Sequence, residues 1–335
     1  MSVTAAKGFL AGGIACGIRK AAPDLAVVRT AGRGTGSAMF TMNRVQAAPV
    51  VVSKEHLAVA EPQAVVINSG TANAATGEQG LRDARATAAS AAALLGLSPA
   101  EVLVLSTGVI GVPLPLDRVE RGLATIELFA DGGPAAAEAI LTTDSGPKTA
   151  AVDCGDFAVG GMAKGAGMIH PCLATMLAVV TTDYPLAPGE ATDFLHPAVE
   201  ESFNRISVDG ECSTNDTVVL LSSGASGAAR DDAAFAQALR VVCADLASQI
   251  VADGEGATVL LEIAVTGAAS AGEATAIARR IATSPLVKTA AFGRDANWGR
   301  VLSAAGSAPF NGGFAQVDPD RVTLAFNGTT VFAGG

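Results

Sequence analysis

Apolar residues recur along this chain in two rhythms. Short apolar runs of strand length occur at residues 24–30, 37–41, 64–67, 102–105, 173–180 and 258–265. Between them lie longer stretches at helical spacing. Leu81, Ala84, Ala88, Ala92 and Leu95 predict a helix over 80–95, closed by Gly96. Phe235, Leu239, Val242, Leu246 and Ile250 form one stripe of a helix over 231–252. Further helices are expected at 116–127, 134–141 and 271–283, and a capping box with proline at the first helical position at 98–101. Residues 24–30 and 37–41 flank the glycine-rich turn 31–36 and read as a hairpin, as do residues 149–159. Strands interleaved with helices indicate an α/β protein.

Composition narrows the class. Aromatics are only 4% against 50% hydrophobic residues, so alanine, valine, leucine and isoleucine build the core. The net charge of −10, with no basic cluster, speaks against binding nucleic acid or an anionic membrane. No apolar run reaches the ~18 residues of a membrane span. The first residues, Met1 to Lys7, lack the order of a signal peptide, so a cytoplasmic protein is expected. The five cysteines, Cys16, Cys154, Cys172, Cys212 and Cys243, are widely spaced without a C-x-x-C, which fits reduced thiols and argues against a zinc site. A Cys172–His170 pair is conceivable; a packed thiol is the plainer reading.

Chemistry concentrates in residues 160–183. A glycine-rich segment carrying Lys164 meets the apolar run, and Thr175 sits near that run's start. Thr175 is either a β-branched strand residue or a nucleophile. The second role becomes available if its own peptide bond is cut, because the freed α-amine can act as base. Ser106-Thr107-Gly108 and residues 68–77 follow strands, as turns or as site loops do. Lys164 is a surface lysine or a buried carboxylate partner. Glu255 reads as a solvated helix-end residue. The polar stretch 202–217 is an Asx/ST-turn network or a site lining, with the structural role favoured.

Several segments resemble one family. Residues 164–168 (K-G-A-G-M) and 174–177 (A-T-M-L) look like the self-cleavage site of the ornithine acetyltransferases, the bifunctional glutamate N-acetyltransferases of arginine biosynthesis. So do 40–50, 68–77 (departing at Ala75, where many relatives carry cysteine), 106–111, 141–148, 203–217, 284–290 and 297–300. Together they span essentially the whole chain. The resemblance implies a layered α-β-β-α sandwich of the DmpA and N-terminal-nucleophile-hydrolase kind. It implies cleavage between Ala174 and Thr175, giving an α chain, 1–174, and a β chain, 175–335. It assigns Thr175 as nucleophile, Thr107 and Gly108 as the oxyanion hole, and Thr142, Lys164, Thr175 and Glu255 as substrate contacts. N-acetylornithine would donate acetyl to glutamate through an acetyl-threonine, with no metal or organic cofactor. Acetyl-CoA is left open as a second donor. A heterotetramer of two α and two β chains is expected. Relatives continue past the position of Gly335, so some substrate contacts are expected to be missing. The rival readings are a DmpA-type self-cleaving amidase, with water as acceptor, and an inactive binding homologue.

Overall fold

The computed structural model describes residues 2–170 and 176–334, in two compact units. The first unit holds residues 1–206 and 211–255; the second holds 207–210 and 256–335.

The first unit runs β1 (Phe9–Ile14), β2 (Leu25–Thr30), β3 (Thr35–Phe40), α1 (Ala48–Leu57), β4 (Ala64–Thr71), α2 (Gly77–Leu95), β5 (Val102–Val109), α3 (Leu116–Leu123), α4 (Gly133–Ala139), β6 (Lys148–Asp153), β7 (Ala158–Lys164), β8 (Leu177–Thr182), α5 (Ala191–Glu200), β9 (Thr217–Ser222) and α6 (Asp232–Ala252). One sheet has the order β1-β2-β4-β5 and the other β3-β9-β8-β7-β6. Val28, Ile67, Leu103 and Leu105 of the first sheet share one buried cluster with Met162, Leu177, Val179, Val219 and Leu221 of the second. The outer face of the first sheet buries Val27, Val66 and Val104 against Ala88, Ala91 and Ala92 of α2 and Val119 and Leu123 of α3. On the second sheet α6 packs over β6 and β7, and α5 over β3 and β9. The layers are therefore helix, sheet, sheet, helix, the expected α-β-β-α sandwich. Strands covered on both faces must be apolar on both, which is why 64–67 and 102–105 are unbroken apolar runs.

Helix boundaries follow local chemistry. Gly96 caps α2 in the left-handed conformation at φ 68°. The Asp231 side chain accepts from the Ala234 N–H at the start of α6. Gly161 lets α6 sit close, since a Cβ there would lie 2.9 Å from Leu246. Among the described residues α6 alone has the length and apolarity of a membrane span, and its stripe from Phe235 to Ile250 is buried.

Two expectations need correction. The strands at 24–30 and 37–41 do not form a hairpin. β2 pairs with β1 and β4, while β3 pairs with β9 in the other sheet. β2 is buried on both faces and takes an interior position, so the glycine turn carries the chain between sheets. Of the run expected at 173–180, the described part pairs with β7 from Leu177, opposite Lys164. Residues 173–175 lie outside the described residues. Residues 258–265 form no strand: Ile263 and Val265 pack on the second unit's core, but no neighbouring strand pairs with them.

The second unit contains α7 (Ala271–Ala282), α8 (Pro285–Phe292), α9 (Trp298–Gly306) and the two-stranded pairs β10 (Pro309–Phe310) with β11 (Gly313–Phe314) and β12 (Thr323–Phe326) with β13 (Thr329–Ala333). Its core joins Ile277, Ile281, Val287, Val301 and Ala304. Trp298 stacks on Phe332 with ring centroids 5.1 Å apart.

Candidate active site

The polar centre of the first unit is assembled by Asp144. Its side chain is fully buried between two lysines. Lys148 Nζ lies 2.7 Å from Asp144 Oδ1 and 2.6 Å from Asp253 Oδ2, and Lys164 Nζ lies 3.7 Å from Asp144 Oδ2. Asp144 also accepts the backbone N–H groups of Thr142 and Gly165. Burial alone would raise its pKa. Lys164, Lys148 and those two N–H groups outweigh burial and hold it down to about 2.

Around this carboxylate the structure brings together Thr142, Lys164 and Glu255. Lys164 is 3% exposed and donates to Thr142 Oγ1 at 2.6 Å. Burial lowers its pKa, and Asp144 works against that shift. Glu255 is exposed, accepts from Thr143 Oγ1 at 2.6 Å, and anchors its own N–H on the Ala166 carbonyl. Gly167 packs directly beside it, and a Cβ there, 2.7 Å from the Glu255 carboxyl, would push that carboxyl to a new position. The cluster offers a buried ammonium, a hydroxyl and an exposed carboxylate. That set complements an amino acid bearing a carboxylate and a second amine.

Thr107 and Gly108 stand apart from this cluster, at the end of β5 in the other sheet. The segment before β9 ties the two sheets together. Asn215 Nδ2 donates to the carbonyls of Ala72 and Ser106, and Asp216 Oδ1 accepts the Met176 N–H at 3.0 Å. The expected structural role of this loop is thereby met: it links the residue before Thr107 to the residue after Thr175. Thr175 and Ala174 themselves lie outside the described residues, as does Cys172.

Gly108 has no room for a side chain. At φ 135° a Cβ would lie 2.3 Å from the Gly70 carbonyl carbon and 2.6 Å from the Thr71 nitrogen. Gly108→Ala is expected to cost roughly 2–4 kcal/mol and to lower the unfolding midpoint by about 5–10 °C in a thermal melt. An unchanged midpoint would contradict this close approach.

Asp144, Lys148 and Asp216 were not among the site residues read from sequence. The signal available was the charge pair at i and i+4 in 144–148, inside a segment already matched to the family.

Two stacked sheets covered by helices, with a buried lysine–carboxylate centre at one end, define an α-β-β-α sandwich enzyme. A sequence model of the ArgJ family matches residues 10–335. The arginine biosynthesis bifunctional protein ArgJ of Streptomyces coelicolor is 49% identical over 339 residues, covering 100% of this chain and 87% of that protein. The protein of the same name from Thermobifida fusca is 48% identical with the same coverage. The structure of ornithine acetyltransferase from Mycobacterium tuberculosis, complexed with ornithine, matches at 44% identity and a TM-score of 0.50, covering 51% of this chain and 94% of that one. The chain belongs to the ArgJ family.

Proposed function

We propose that this chain is the self-cleaving acetyltransferase of arginine biosynthesis. It moves acetyl from N-acetyl-L-ornithine to L-glutamate. The observation that carries the reading is the joining of Thr142, Lys164 and Glu255 around Asp144, in a chain of the ArgJ family. Thr175 attacks the acetyl carbonyl and releases ornithine, leaving an acetyl ester. The amine of glutamate then attacks that ester. The α-amine of Thr175 shuttles the protons. Thr107 and Gly108 donate to the oxygen that becomes negative in each tetrahedral species. Lys164 pairs with the α-carboxylate that both amino acids carry, and Glu255 faces the side-chain amine of ornithine. Acetyl-CoA is a second donor in the bifunctional reading.

Division into 1–174 and 175–335 does not follow the compact units, because it falls inside the first. β8 and β9 would come from the second polypeptide and lie in one sheet between β7 and β3 of the first. Backbone ladders on both sides would hold the products together. Half of this chain spans nearly all of the Mycobacterium chain, which fits a division near the middle. We place the enzyme in the cytoplasm as a heterotetramer of two α and two β chains. Light scattering at one α and one β chain per particle would contradict that assembly.

Lys164→Ala is expected to raise KM for N-acetylornithine and glutamate together, by about 10-fold or more, as loss of a charge-assisted carboxylate contact does. Steady-state kinetics with each substrate varied tests this. An unchanged KM for both would remove Lys164 from the site. Product analysis separates transfer from hydrolysis: N-acetylglutamate forms in the first case, and acetate regardless of glutamate in the second.

A further inference from the structure

The two amino acids of the proposed reaction end in opposite charges. Ornithine carries an amine at the end of its side chain, and glutamate carries a carboxylate there. Lys164 and Glu255 serve ornithine at both ends. A second carboxylate brought up to Glu255 alone would meet a like charge, an arrangement that recognition sites use to reject a ligand. The acceptor therefore needs a cation that the donor does not use.

Residues 141–143 present one, because three consecutive residues each hold a charged side chain. The Leu141 carbonyl accepts from Arg19 Nη1 at 2.8 Å, Thr142 Oγ1 accepts from Lys164 Nζ at 2.6 Å, and Thr143 Oγ1 donates to Glu255 at 2.6 Å. Two residues of chain span at most about 7 Å, the scale of one bound amino acid.

Arg19 is built into its place. The Asp24 carboxylate accepts the backbone N–H groups of Cys16, Gly17 and Arg19, and the Asp24 carbonyl accepts that of Ser69. Ser69 Oγ donates in turn to the Ala139 carbonyl. The Arg19 stem lies on Gly70, where a Cβ would be 3.0 Å from Arg19 Cγ, and Gly70 is the residue that Gly108 packs against. Arg19 thus reaches from the end of β4, beside Gly108, to the segment that holds Lys164 and Glu255. A guanidinium has five N–H donors. Among the described residues that of Arg19 has one partner, the Leu141 carbonyl, and no carboxylate pairs with it. Arg19 is half-buried, while Thr143 and Glu255 are exposed, so a ligand can reach this group from solvent. A planar fork with donors to spare is the side chain best shaped to take a carboxylate through two hydrogen bonds.

We propose that Arg19 binds the side-chain carboxylate of the glutamate acceptor. The proposal rests on the reading that glutamate is the acceptor. Lys164 takes the α-carboxylate of either amino acid. Glu255 takes the amine tail of the donor, and Arg19 takes the acidic tail of the acceptor. One short segment offers both signs of charge, and the tail of the bound amino acid selects between them.

The test is steady-state transfer with each substrate varied, and with glutamine as an uncharged stand-in for glutamate. Arg19→Gln removes the charge and keeps an amide donor. It is expected to lower kcat/KM for glutamate roughly 10–100-fold, as loss of a hydrogen-bonded ionic contact does, and that for N-acetylornithine much less. Arg19→Lys restores the charge without the fork and should recover part of the loss. Wild type should prefer glutamate to glutamine as acceptor, and Arg19→Gln should lose that preference. Equal losses for donor and acceptor would make Arg19 a tie that shapes the Thr142 segment, and would overturn the proposal. An unchanged preference for glutamate over glutamine, or a variant that does not fold, would overturn it as well. A wild type that makes no N-acetylglutamate fails the function reading before any variant is compared, so the two failures are distinct.

Discussion

Thr175→Ala is expected to yield a single uncut polypeptide with no measurable acetyl transfer. Alanine has no oxygen to attack the Ala174 carbonyl, so the chain cannot divide. It has no oxygen to carry acetyl either, so both half-reactions stop at the first bond formed. A triad-type nucleophile removed alone typically costs about 10⁶ in kcat, which is loss to background in an ordinary assay. Removal here also withholds the α-amine, because that group exists only after cleavage. Fold should survive, since the sheets, their shared core and the ties from Asn215 and Asp216 need no hydroxyl at position 175. The measurement is a gel or mass of the purified variant beside an N-acetylornithine-to-glutamate assay and a melt. A variant that folds, stays uncut and still transfers acetyl would remove Thr175 from the mechanism.

Asp144→Ala is expected to be the most destabilising change at the site, at roughly 3–5 kcal/mol. The carboxylate compensates two buried cations, and its removal leaves Lys164 with the Thr142 hydroxyl and the more distant Asp216 carboxyl, and Lys148 with Asp253. Part of the effect is pH-dependent, and its sign is set. The Asp144 pKa is about 2 in the fold against an ordinary 3.8, so folding favours the charged form. The difference contributes about 2 kcal/mol, present above the unfolded value and lost as pH falls from about 4 towards 2. Urea unfolding of wild type and variant should therefore give midpoints far apart at pH 7 that converge in acid. A gap that stays constant from pH 6 to pH 3 would mean that the lysines are not held by this charge.

The layered fold was legible wherever burial is two-sided. β4, β5 and β8 carry unbroken apolar runs because each lies between layers, and composition alone places such runs in a covered sheet, while β9, equally apolar from Val218 to Leu221, was not read as a strand. Pairing was not legible. β3 finds its partner in β9, far downstream, and nothing local in residues 24–41 distinguishes a hairpin from a crossing between sheets. The site divides the same way. Thr142, Lys164 and Glu255 were found through their motifs, since a lone lysine or a helix-end glutamate carries no signal of its own. Asp144 and Asp216 sat inside matched segments and still went unmarked. What sets them apart is their burial among charged and polar groups, and sequence shows the charge but not the burial.

The most direct test of the account is the intact mass of the purified protein. Self-cleavage before Thr175 predicts two polypeptides, residues 1–174 and 175–335, whose masses sum to the full chain of 33.2 kDa plus one water. The second should begin with an unmodified threonine. One chain at the full mass, in protein that is folded and freshly made, would contradict the nucleophile assignment and with it the acetyl-threonine mechanism.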